Sequence, residues 1–411
     1  MPDLVLDCRG LSWADAGRRL TQGFNQLSTG ESLRGVLDSY PASLRGWLLE
    51  AGMRHRATRE QDGTWRLQVR RGLSPAQGTI PGVHHVLADE RGNLWTAERG
   101  PRVARLDADA GQVAAIATVA KRASHLGLDV DRRRLFVADA EASEVIVLGA
   151  DDLREEARWS APGAPQIPLV SPDGIVCLTG AATGTVTIAR PGHRGFTAQT
   201  VEVGPGPHDP VLGRDGASVF VPCMGGAELV KLRLADGAIA GRCATGAGPS
   251  HLACRTQDGR IYAANSWDGT VTCVSEEGEP IASADSGGWA HAIALTPDGR
   301  RLWVANFLDD TVSVFDADSL ARVAVLETEP YPHGLDVSDD GRFAVVTGFA
   351  ADHVRIFDAE SPRLLARIEI GRGGSHTAFD RGRAYIGCSV ADRVAAVDLL
   401  AGAALRTISL A

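Results

Sequence analysis

A unit of about 40–45 residues recurs through most of this 411-residue chain and constrains its fold more than any other feature. Each copy reads as a short strand, an Asp-Gly turn, an apolar strand, a polar turn and two further strands, most clearly over 291–329 and 333–371. The aligned copies begin, at spacings of 40 to 43 residues, at His84, His125, Gln166, His208, His251, His291, His333 and His376. Four strands per unit at this period predict an all-β propeller of eight blades over 84–411, with seven blades and a degenerate terminal unit as the alternative.

The first 74 residues follow a different pattern, in which short strands alternate with helices. The run LVLDC at 4–8 and the segment 31–38 are predicted strands, while 14–27 and 41–52 are predicted helices. The segments 53–60 and 64–71 form a predicted hairpin around Asp62-Gly63. The order βαβαββ predicts a small α/β sandwich over 1–74, joined by a Pro/Gly-rich linker at 75–83 to the repeats.

Three segments of this N-terminal region, LDCRGL (6–11), GESLRGVLD (30–38) and DGTWRLQVRR (62–71), resemble the TusA/SirA-like sulfur-relay domains. The resemblance implies the same α/β fold. The sulfur-carrying members have Cys-Pro two residues after their Gly-Leu pair, whereas this chain continues Ser12-Trp13-Ala14. We therefore expect no persulfide chemistry here, and we interpret Cys8 as a buried structural thiol.

Composition narrows the function classes. Apolar residues make up 44% of the chain and charged residues 23%, as in globular proteins, and the net charge of −9 argues against a nucleic-acid partner. We find neither a signal-peptide pattern at the N-terminus nor an uninterrupted apolar run of membrane-spanning length. Seven scattered cysteines without a CxxC pair are typical of reduced thiols, so we expect a cytoplasmic protein with no membrane contact.

Histidine occupies the same repeat position in seven of the eight units, and only Gln166 breaks the series. Because the first strand of a propeller blade is innermost, equivalent positions form a ring at the mouth of the central channel. Imidazole nitrogens suit copper, iron or zinc, and one metal ion needs only three or four of them. The candidate metal ligands or proton donors, including the adjacent second histidine of the first unit, are His84, His85, His125, His208, His251, His291, His333 and His376.

The VAN and FDA segments of the repeats resemble the YVTN/lactonase-like propellers over 84–411. The His84-His85 pair, followed by single histidines from later units, resembles the copper sites of nitrous oxide reductase and thiocyanate dehydrogenases, which are exported seven-bladed enzymes. A second resemblance is to the eight-bladed modified-haem domain of cytochrome nitrite reductases and its biosynthetic relatives. These resemblances imply a transition-metal cofactor, with copper favoured and iron or a modified haem as the other options.

The leading interpretation is a metal-binding propeller that acts as a copper- or iron-dependent oxidoreductase on a small inorganic nitrogen or sulfur species. Its expected partners are that substrate or a redox partner protein, and the gap at Gln166 would leave an opening for substrate. Two alternatives stay open: a non-catalytic interaction scaffold whose histidines are copied structural residues, and a modified-haem carrier or maturation factor. Asp309-Asp310 and Asp339-Asp340 are predicted turn residues, and Trp289 either walls the site or packs between blades.

Overall fold

A computed structural model describes residues 4–11, 19, 32–37, 54–59, 64–70, 82–98, 100–193, 195–349 and 351–410. The N-terminal strands are β1 (Leu4–Asp7), β2 (Ser32–Leu37), β3 (Arg54–Arg59) and β4 (Trp65–Arg70). They form one sheet in the order β1-β2-β4-β3, with β1 and β2 parallel and the other pairs antiparallel. All four coincide with predicted strands. The two predicted helices, over 14–27 and 41–52, lie outside the described residues, and the domain boundaries stay predictions.

Cys8 directly follows β1 and is buried, with 2% of its surface exposed. Its backbone N–H donates to the carbonyl of Val36 on the neighbouring strand, at 2.9 Å. Burial raises the pKa of the Cys8 thiol, against a smaller opposing influence of Arg19. A buried thiol that resists ionisation is a poor nucleophile, because the thiolate is the reactive form.

Incubation of the full chain with a cysteine desulfurase and its substrate is expected to leave Cys8 unmodified, because its thiol is both buried and protonated. Intact-protein and peptide mass spectrometry measures the persulfide directly. A sulfur-carrying relative that has the Cys-Pro motif is the positive control. A stoichiometric persulfide on Cys8 would contradict the prediction.

Beyond the N-terminal sheet the described residues form eight four-stranded antiparallel sheets, each made of four strands consecutive in the chain. Sheets 1 and 2 contain β5 (Val83–Ala88), β6 (Asn93–Glu98), β7 (Arg102–Asp107) and β8 (Gln112–Thr118), then β9 (Ala123–Asp129), β10 (Arg134–Asp139), β11 (Glu144–Gly149) and β12 (Glu155–Ser160). Sheets 3 and 4 contain β13 (Leu169–Val170), β14 (Val176–Gly180), β15 (Thr185–Gly192) and β16 (Gly195–Glu202), then β17 (Val211–Leu212), β18 (Ser218–Cys223), β19 (Glu228–Arg233) and β20 (Ile239–Ala244). A short 3-10 helix covers Met224–Gly226.

The later repeats have the same organisation. Sheets 5 and 6 contain β21 (Pro249–Cys254), β22 (Ile261–Asn265), β23 (Thr270–Val274) and β24 (Pro280–Asp285), then β25 (Ala290–Leu295), β26 (Arg301–Asn306), β27 (Thr311–Asp316) and β28 (Arg322–Glu327). Sheets 7 and 8 contain β29 (Pro332–Val337), β30 (Phe343–Gly348), β31 (His353–Asp358) and β32 (Arg363–Glu369), then β33 (Gly374–Asp380), β34 (Arg383–Cys388), β35 (Arg393–Asp398) and β36 (Ala403–Ser409).

Sheet 6 shows how the sequence produces this layering. In β26 (RLWVAN) every residue after Arg301 is buried, as expected for a strand covered on both faces, whereas β28 exposes alternate residues because it is outermost. The turn between β25 and β26 is Asp298-Gly299, in which Gly299 has a φ of 69° that favours glycine. The Asp298 carboxylate accepts hydrogen bonds from the Thr296 hydroxyl at 2.6 Å and the Arg300 N–H at 3.0 Å. The Asp-Gly pair therefore predicts this turn for a physical reason: the carboxylate accepts the hydrogen bonds of the turn and the glycine adopts the positive φ.

Large aromatic residues on second strands join neighbouring sheets. The indole N–H of Trp95 donates to Ala150 O at 2.8 Å, and Trp303 and Tyr262 make equivalent bonds to Ala359 O and Ala317 O. Each bond crosses to the next sheet, 55 or 56 residues along the chain. Buried aromatics with a satisfied polar atom fix the spacing between sheets.

The sheets close into a ring. Core residues of sheet 1, such as Val86 and Leu94, pack with Tyr385 and Val394 of sheet 8. The first strands of neighbouring sheets lie against one another around the centre, and β5 contacts both β9 and β33. The start of every first strand is therefore brought to one central region. Among the described residues, no helix is long and apolar enough to cross a membrane.

Candidate functional site

The repeated histidines lie on the first strands of six sheets, and in each the ladder to the second strand is irregular at the histidine. In sheet 6, for example, the pairing passes from Ala290↔Asn306 to Ile293↔Val304, which leaves His291 outside the regular register. Such bulges re-aim side chains at the rims of closed sheets. The strand starts therefore direct their imidazoles toward the centre of the ring.

Sheets 3 and 4 reach the centre differently. Their first strands are only two residues long and begin after the repeat position, at Leu169 and Val211. Before them, Pro165 and Pro207 each make an isolated bridge to the second strand. Prolines flank these segments (165 and 168, 207 and 210) and cannot donate to a ladder, so the pairing is interrupted. Between them, the N–H of Gln166 still donates to Thr179 O and that of His208 to Pro222 O on the second strands. Gln166 and His208 occupy these segments.

All eight predicted ligands belong to one continuous arc of ring contacts. Consecutive ring centroids are separated by 5.1 Å (His208–His251), 4.2 Å (His251–His291), 5.2 Å (His291–His333), 5.7 Å (His333–His376), 5.1 Å (His376–His84) and 5.0 Å (His84–His125). His85 lies 4.8 Å from His376 and 5.3 Å from His125. The arc runs from sheet 4 through sheet 8 to sheet 2, and sheet 3 with Gln166 is the gap.

Within the arc, one nitrogen each of His84, His125 and His376 lie within 4.8 Å of one another. Three nitrogens on one zinc ion with tetrahedral geometry would be about 3.4 Å apart, so modest side-chain rotation brings them into ligand positions. His84 is 6% exposed, and its Nδ1 lies 3.0 Å from the hydroxyl of the fully buried Ser375. That hydroxyl fixes the orientation of the His84 ring, as outer-shell partners of metal ligands do.

Burial keeps several of these imidazoles neutral. It lowers the pKa of His85 and of His291 well below the usual histidine value, and the nearby His376 and His251, respectively, add to the effect. Burial also lowers the pKa of His208, although the charge of Asp209 opposes the shift. Neutral imidazole is the form that binds a metal ion, so these rings are in the protonation state that metal binding requires.

A backbone hydrogen bond sets the tautomer of His85. The backbone N–H of Leu126 donates to His85 Nδ1 at 3.4 Å. Because a neutral imidazole with an accepting Nδ1 carries its hydrogen on Nε2, His85 presents an N–H donor on its other side. A hydrogen-bond donor beside three lone-pair nitrogens can orient a bound ligand or supply a proton to it.

Asp209 is the residue of this site that the sequence analysis missed. Its carboxylate lies 3.0 Å from His251 Nε2 and 3.4 Å from His208 Nδ1, and its side chain is 15% exposed. Burial raises its pKa, but His251 and His208 outweigh that effect and hold the pKa far below the usual value. The carboxylate is therefore an anion within the arc. Its only sequence signal is its position directly after the fourth repeat residue.

Comparisons with known proteins agree on the architecture. The family model described as "Lactonase, 7-bladed beta-propeller" matches residues 180–363. The 6-phosphogluconolactonase of Serratia proteamaculans is 27% identical over 259 residues, which cover 54% of this chain and 77% of that protein. The C-terminal region is a β-propeller that is similar to the lactonase family over these residues. The predicted propeller class is thereby confirmed.

Two solved structures share this propeller fold at low identity. Dihydro-heme d1 dehydrogenase NirN, in complex with DHE, has a TM-score of 0.58 and 16% identity, covering 70% of this chain and 67% of that one. Hydrazine synthase of Kuenenia stuttgartiensis has a TM-score of 0.56 and 16% identity, covering 68% of this chain and 96% of that one. At this identity the likeness extends to the fold alone.

Turn carboxylates hold the histidine-bearing strands of the propeller in place. Asp139 ends a second strand, and Asp268 and Asp309 follow second strands. Each accepts a backbone N–H at 2.6 Å from the connector that leads into a repeat histidine. The donors are Lys121, Ala247 and Gly288, three or four residues before His125, His251 and His291. The predicted turn role of Asp309 is confirmed, and it also serves to position the site.

An aromatic cluster lies beside one half of the histidine arc. It consists of the buried Trp267, Trp289 and Phe307 with the half-buried Met224, Ala247, Leu308, Tyr331 and Phe349. Phe307 lies 5.9 Å from the His291 ring, and Phe349 lies 5.6 Å from the His333 ring. Trp289 is 2% exposed and packs within this cluster. The cluster gives that half of the arc an apolar flank.

Proposed function

We propose that the propeller binds a transition-metal ion through His84, His125 and His376 and acts as a metal-dependent oxidoreductase on a small inorganic nitrogen or sulfur species. The observation that carries the proposal is the convergence of three imidazole nitrogens from sheets 1, 2 and 8 within 4.8 Å. A small inorganic substrate or a redox partner protein completes the proposal, because the electrons need a donor or an acceptor.

The donor set favours copper. Imidazole suits zinc, copper, iron and nickel, and among divalent ions copper binds nitrogen sites most tightly. Three neutral imidazoles carry no negative charge that would balance the positive charge of the metal ion, and burial of an unbalanced charge is costly. Monovalent copper has half the charge of Zn²⁺ and therefore loses less on entering such a site. Bound copper or iron would supply one-electron chemistry.

The chain's own residues have separate tasks in this proposal. Ser375 holds the His84 ring, and the turn carboxylate of Asp139 holds the connector before His125. His85 carries an N–H on Nε2, and its ring lies 4.8 Å from that of His376 and 5.3 Å from that of His125, so it would orient substrate or deliver a proton there. The gap in the arc at Gln166 is the proposed entrance for substrate.

Three further assignments belong to this proposal. One blade for each observed sheet gives eight blades, although the matched family model is described as seven-bladed. All seven cysteines are free thiols, which supports a reducing, cytoplasmic location. The strand pattern of the N-terminal sheet supports the TusA/SirA-like assignment without its sulfur-carrying activity.

A second candidate is a modified-haem carrier or maturation factor. The aromatic cluster beside His291 and His333 favours it, because a tetrapyrrole needs an apolar wall and a nitrogen ligand. The propeller likeness to NirN is consistent with this candidate at the level of fold. Protein purified with the group bound would show the absorption bands of a tetrapyrrole, whereas bound copper alone would not.

Elemental analysis of the untagged chain, expressed with added copper and iron, tests the proposal. We expect about one tightly held copper ion per chain at the three-histidine site, and we expect nitrite or thiosulfate to change the redox state of that metal. The absence of metal under these conditions would remove the oxidoreductase proposal and leave the interaction scaffold. A tetrapyrrole spectrum would favour the second candidate.

A further inference from the structure

We infer a second metal site, distinct from the three-histidine site, formed by His208, Asp209 and His251. One ligand atom from each residue lies within 4.8 Å of the other two. The separation of 3.0 Å between His251 Nε2 and Asp209 Oδ2 is close to that of two ligands about 2.1 Å from one ion at a right angle. Two imidazoles and one carboxylate form the donor set of non-haem Fe(II) sites. We therefore propose that this site binds Fe²⁺ or a similar divalent metal ion.

The backbone explains why two adjacent residues can both contribute. Pro207 and Pro210 keep this segment out of the regular ladder of sheet 4. The His208 N–H still donates to Pro222 O on β18 at 2.9 Å, whereas the Asp209 N–H turns to the next sheet and donates to Ser250 O at 3.2 Å. In a regular strand, adjacent side chains point to opposite faces. This irregular segment, anchored to sheets 4 and 5, brings His208 and Asp209 to the same site.

Hydrogen bonds also select the nitrogens that face an ion. His208 Nδ1 lies 3.2 Å from the carbonyl oxygen of Ser250, which can only accept, so this nitrogen carries the hydrogen. The lone pair of His208 is then on Nε2. The carbonyl acts as the outer-shell partner that metal-binding histidines commonly have.

A relay of two hydroxyls supports the equivalent tautomer of His251. Its Nδ1 lies 3.2 Å from Ser250 Oγ, which lies 2.8 Å from Ser266 Oγ, and the Ser266 hydroxyl donates to Ala290 O at 2.8 Å. In the metal-free chain His251 Nε2 lies 3.0 Å from the Asp209 carboxylate, which can only accept, so this nitrogen carries a hydrogen that a bound ion would replace. Donation from His251 Nδ1–H to Ser250, then Ser266 and then Ala290 keeps the other hydrogen on Nδ1, so that Nε2 is the nitrogen offered to the ion. Ser250 is therefore a positioning residue for both histidines.

Charge separates this site from the three-histidine site. Asp209 supplies one negative charge from a side chain that is 15% exposed, whereas His84, His125 and His376 supply none. A carboxylate stabilises a harder divalent ion such as Fe²⁺, Mn²⁺ or Co²⁺, and all-nitrogen donors favour copper. The two sites lie on sheets 4–5 and on sheets 8, 1 and 2, with His291 and His333 between them in the arc. The arrangement thus predicts two metal sites that prefer different ions.

Titration of the metal-free full chain with Co²⁺, an Fe²⁺ substitute with visible d–d absorption, tests the inference. The parent is expected to bind one equivalent that depends on Asp209. Asp209→Asn, which keeps the shape and removes the charge, should weaken that binding at least 100-fold, whereas Asp209→Glu should retain part of it. Ser250→Ala should weaken it about tenfold, the cost of losing an outer-shell partner. Unchanged Co²⁺ binding by Asp209→Asn, with a parent-like circular dichroism spectrum, would overturn the inference.

The two sites are separable in the same experiment. His376→Ala should leave the Asp209-dependent Co²⁺ equivalent intact, because His376 is not a member of this site. Loss of copper binding with retained Co²⁺ binding in His376→Ala would support both sites. A parent that binds the Asp209-dependent Co²⁺ equivalent but no copper would refute the proposed function and leave the second site standing. If Asp209→Asn fails to fold, Asp209→Glu and Ser250→Ala carry the test, and parent-like Co²⁺ affinity and spectra in both would overturn the inference.

Discussion

His376→Ala is expected to abolish metal binding at the three-histidine site while the propeller stays folded. His376 contacts more members of the arc than any other described histidine, with ring centroids 4.8 Å from His85, 5.1 Å from His84, 5.5 Å from His125 and 5.7 Å from His333. Loss of one of three ligands should weaken copper binding more than about 100-fold, since even an outer-shell partner is worth 10–100-fold. Elemental analysis and a competition titration with a copper chelator measure this loss.

His193→Ala is the matched control for this variant. His193 is exposed in the turn directly after β15, outside the repeat register, and the same chemical change there should leave copper content at the parent level. Because His376 is a half-buried rim residue, we expect a melting temperature within about 3 °C of the parent. A structural ring predicts the reverse pattern: a parent without metal and a variant with a clearly lower melting temperature.

The repeat made most of the propeller predictable from the sequence. Asp-Gly turns and apolar strands recur at a fixed period, so each unit supports the assignment of the others, and the eight histidines were placed together correctly. The same reasoning explains why a single alignment of the repeats is enough to identify the histidines of the arc. A strand position that recurs in every unit is carried to the same radius in the ring.

Features that break the repeat were not predictable in the same way. Asp209 has no equivalent in the other units, and it enters the site because two prolines interrupt the ladder and its N–H turns to Ser250 O of the next sheet. The Ser250–Ser266 relay joins residues 16 apart on neighbouring strands, a contact that sequence periodicity does not contain. Ser375 likewise reaches His84 across 291 residues. The contact between Ser375 and His84 depends on closure of the ring between sheets 8 and 1, and the other two depend on local packing in sheets 4 and 5.

In the metal-free protein, the free energy of unfolding is expected to fall by about 3 kcal/mol between pH 7.5 and pH 5.5. His85, His208 and His291 have folded-state pKa values lowered by burial, whereas unfolded histidine titrates near 6.5. Below pH 6.5 the unfolded chain therefore binds more protons than the folded chain, so stability is full above this pH and is lost as the pH falls. Each such histidine contributes up to about 1.4 kcal/mol per pH unit.

Asp336 acts in the opposite direction. It lies on β29, and burial raises the pKa of its carboxyl to about 6, although the backbone N–H of Thr377 opposes the shift. Between this value and its unfolded pKa near 3.9, the folded chain binds more protons, so this group stabilises the fold as the pH falls. Its gain, below about 1 kcal/mol at pH 5.5, offsets only part of the loss from three histidines.

His291→Gln isolates one contribution to this pH dependence. Glutamine keeps a polar side chain and does not titrate, so the difference in unfolding free energy between pH 7.5 and 5.5 should shrink by about 1 kcal/mol. Urea denaturation at both pH values in the presence of a chelator measures it, and the comparison within each variant cancels any pH-independent cost of the substitution. His193→Gln should keep the parent dependence, because that side chain is exposed in the folded chain. A parent-like dependence in His291→Gln would mean that His291 accepts a proton as readily in the folded ring as in the unfolded chain, and that the arc is not held neutral by burial.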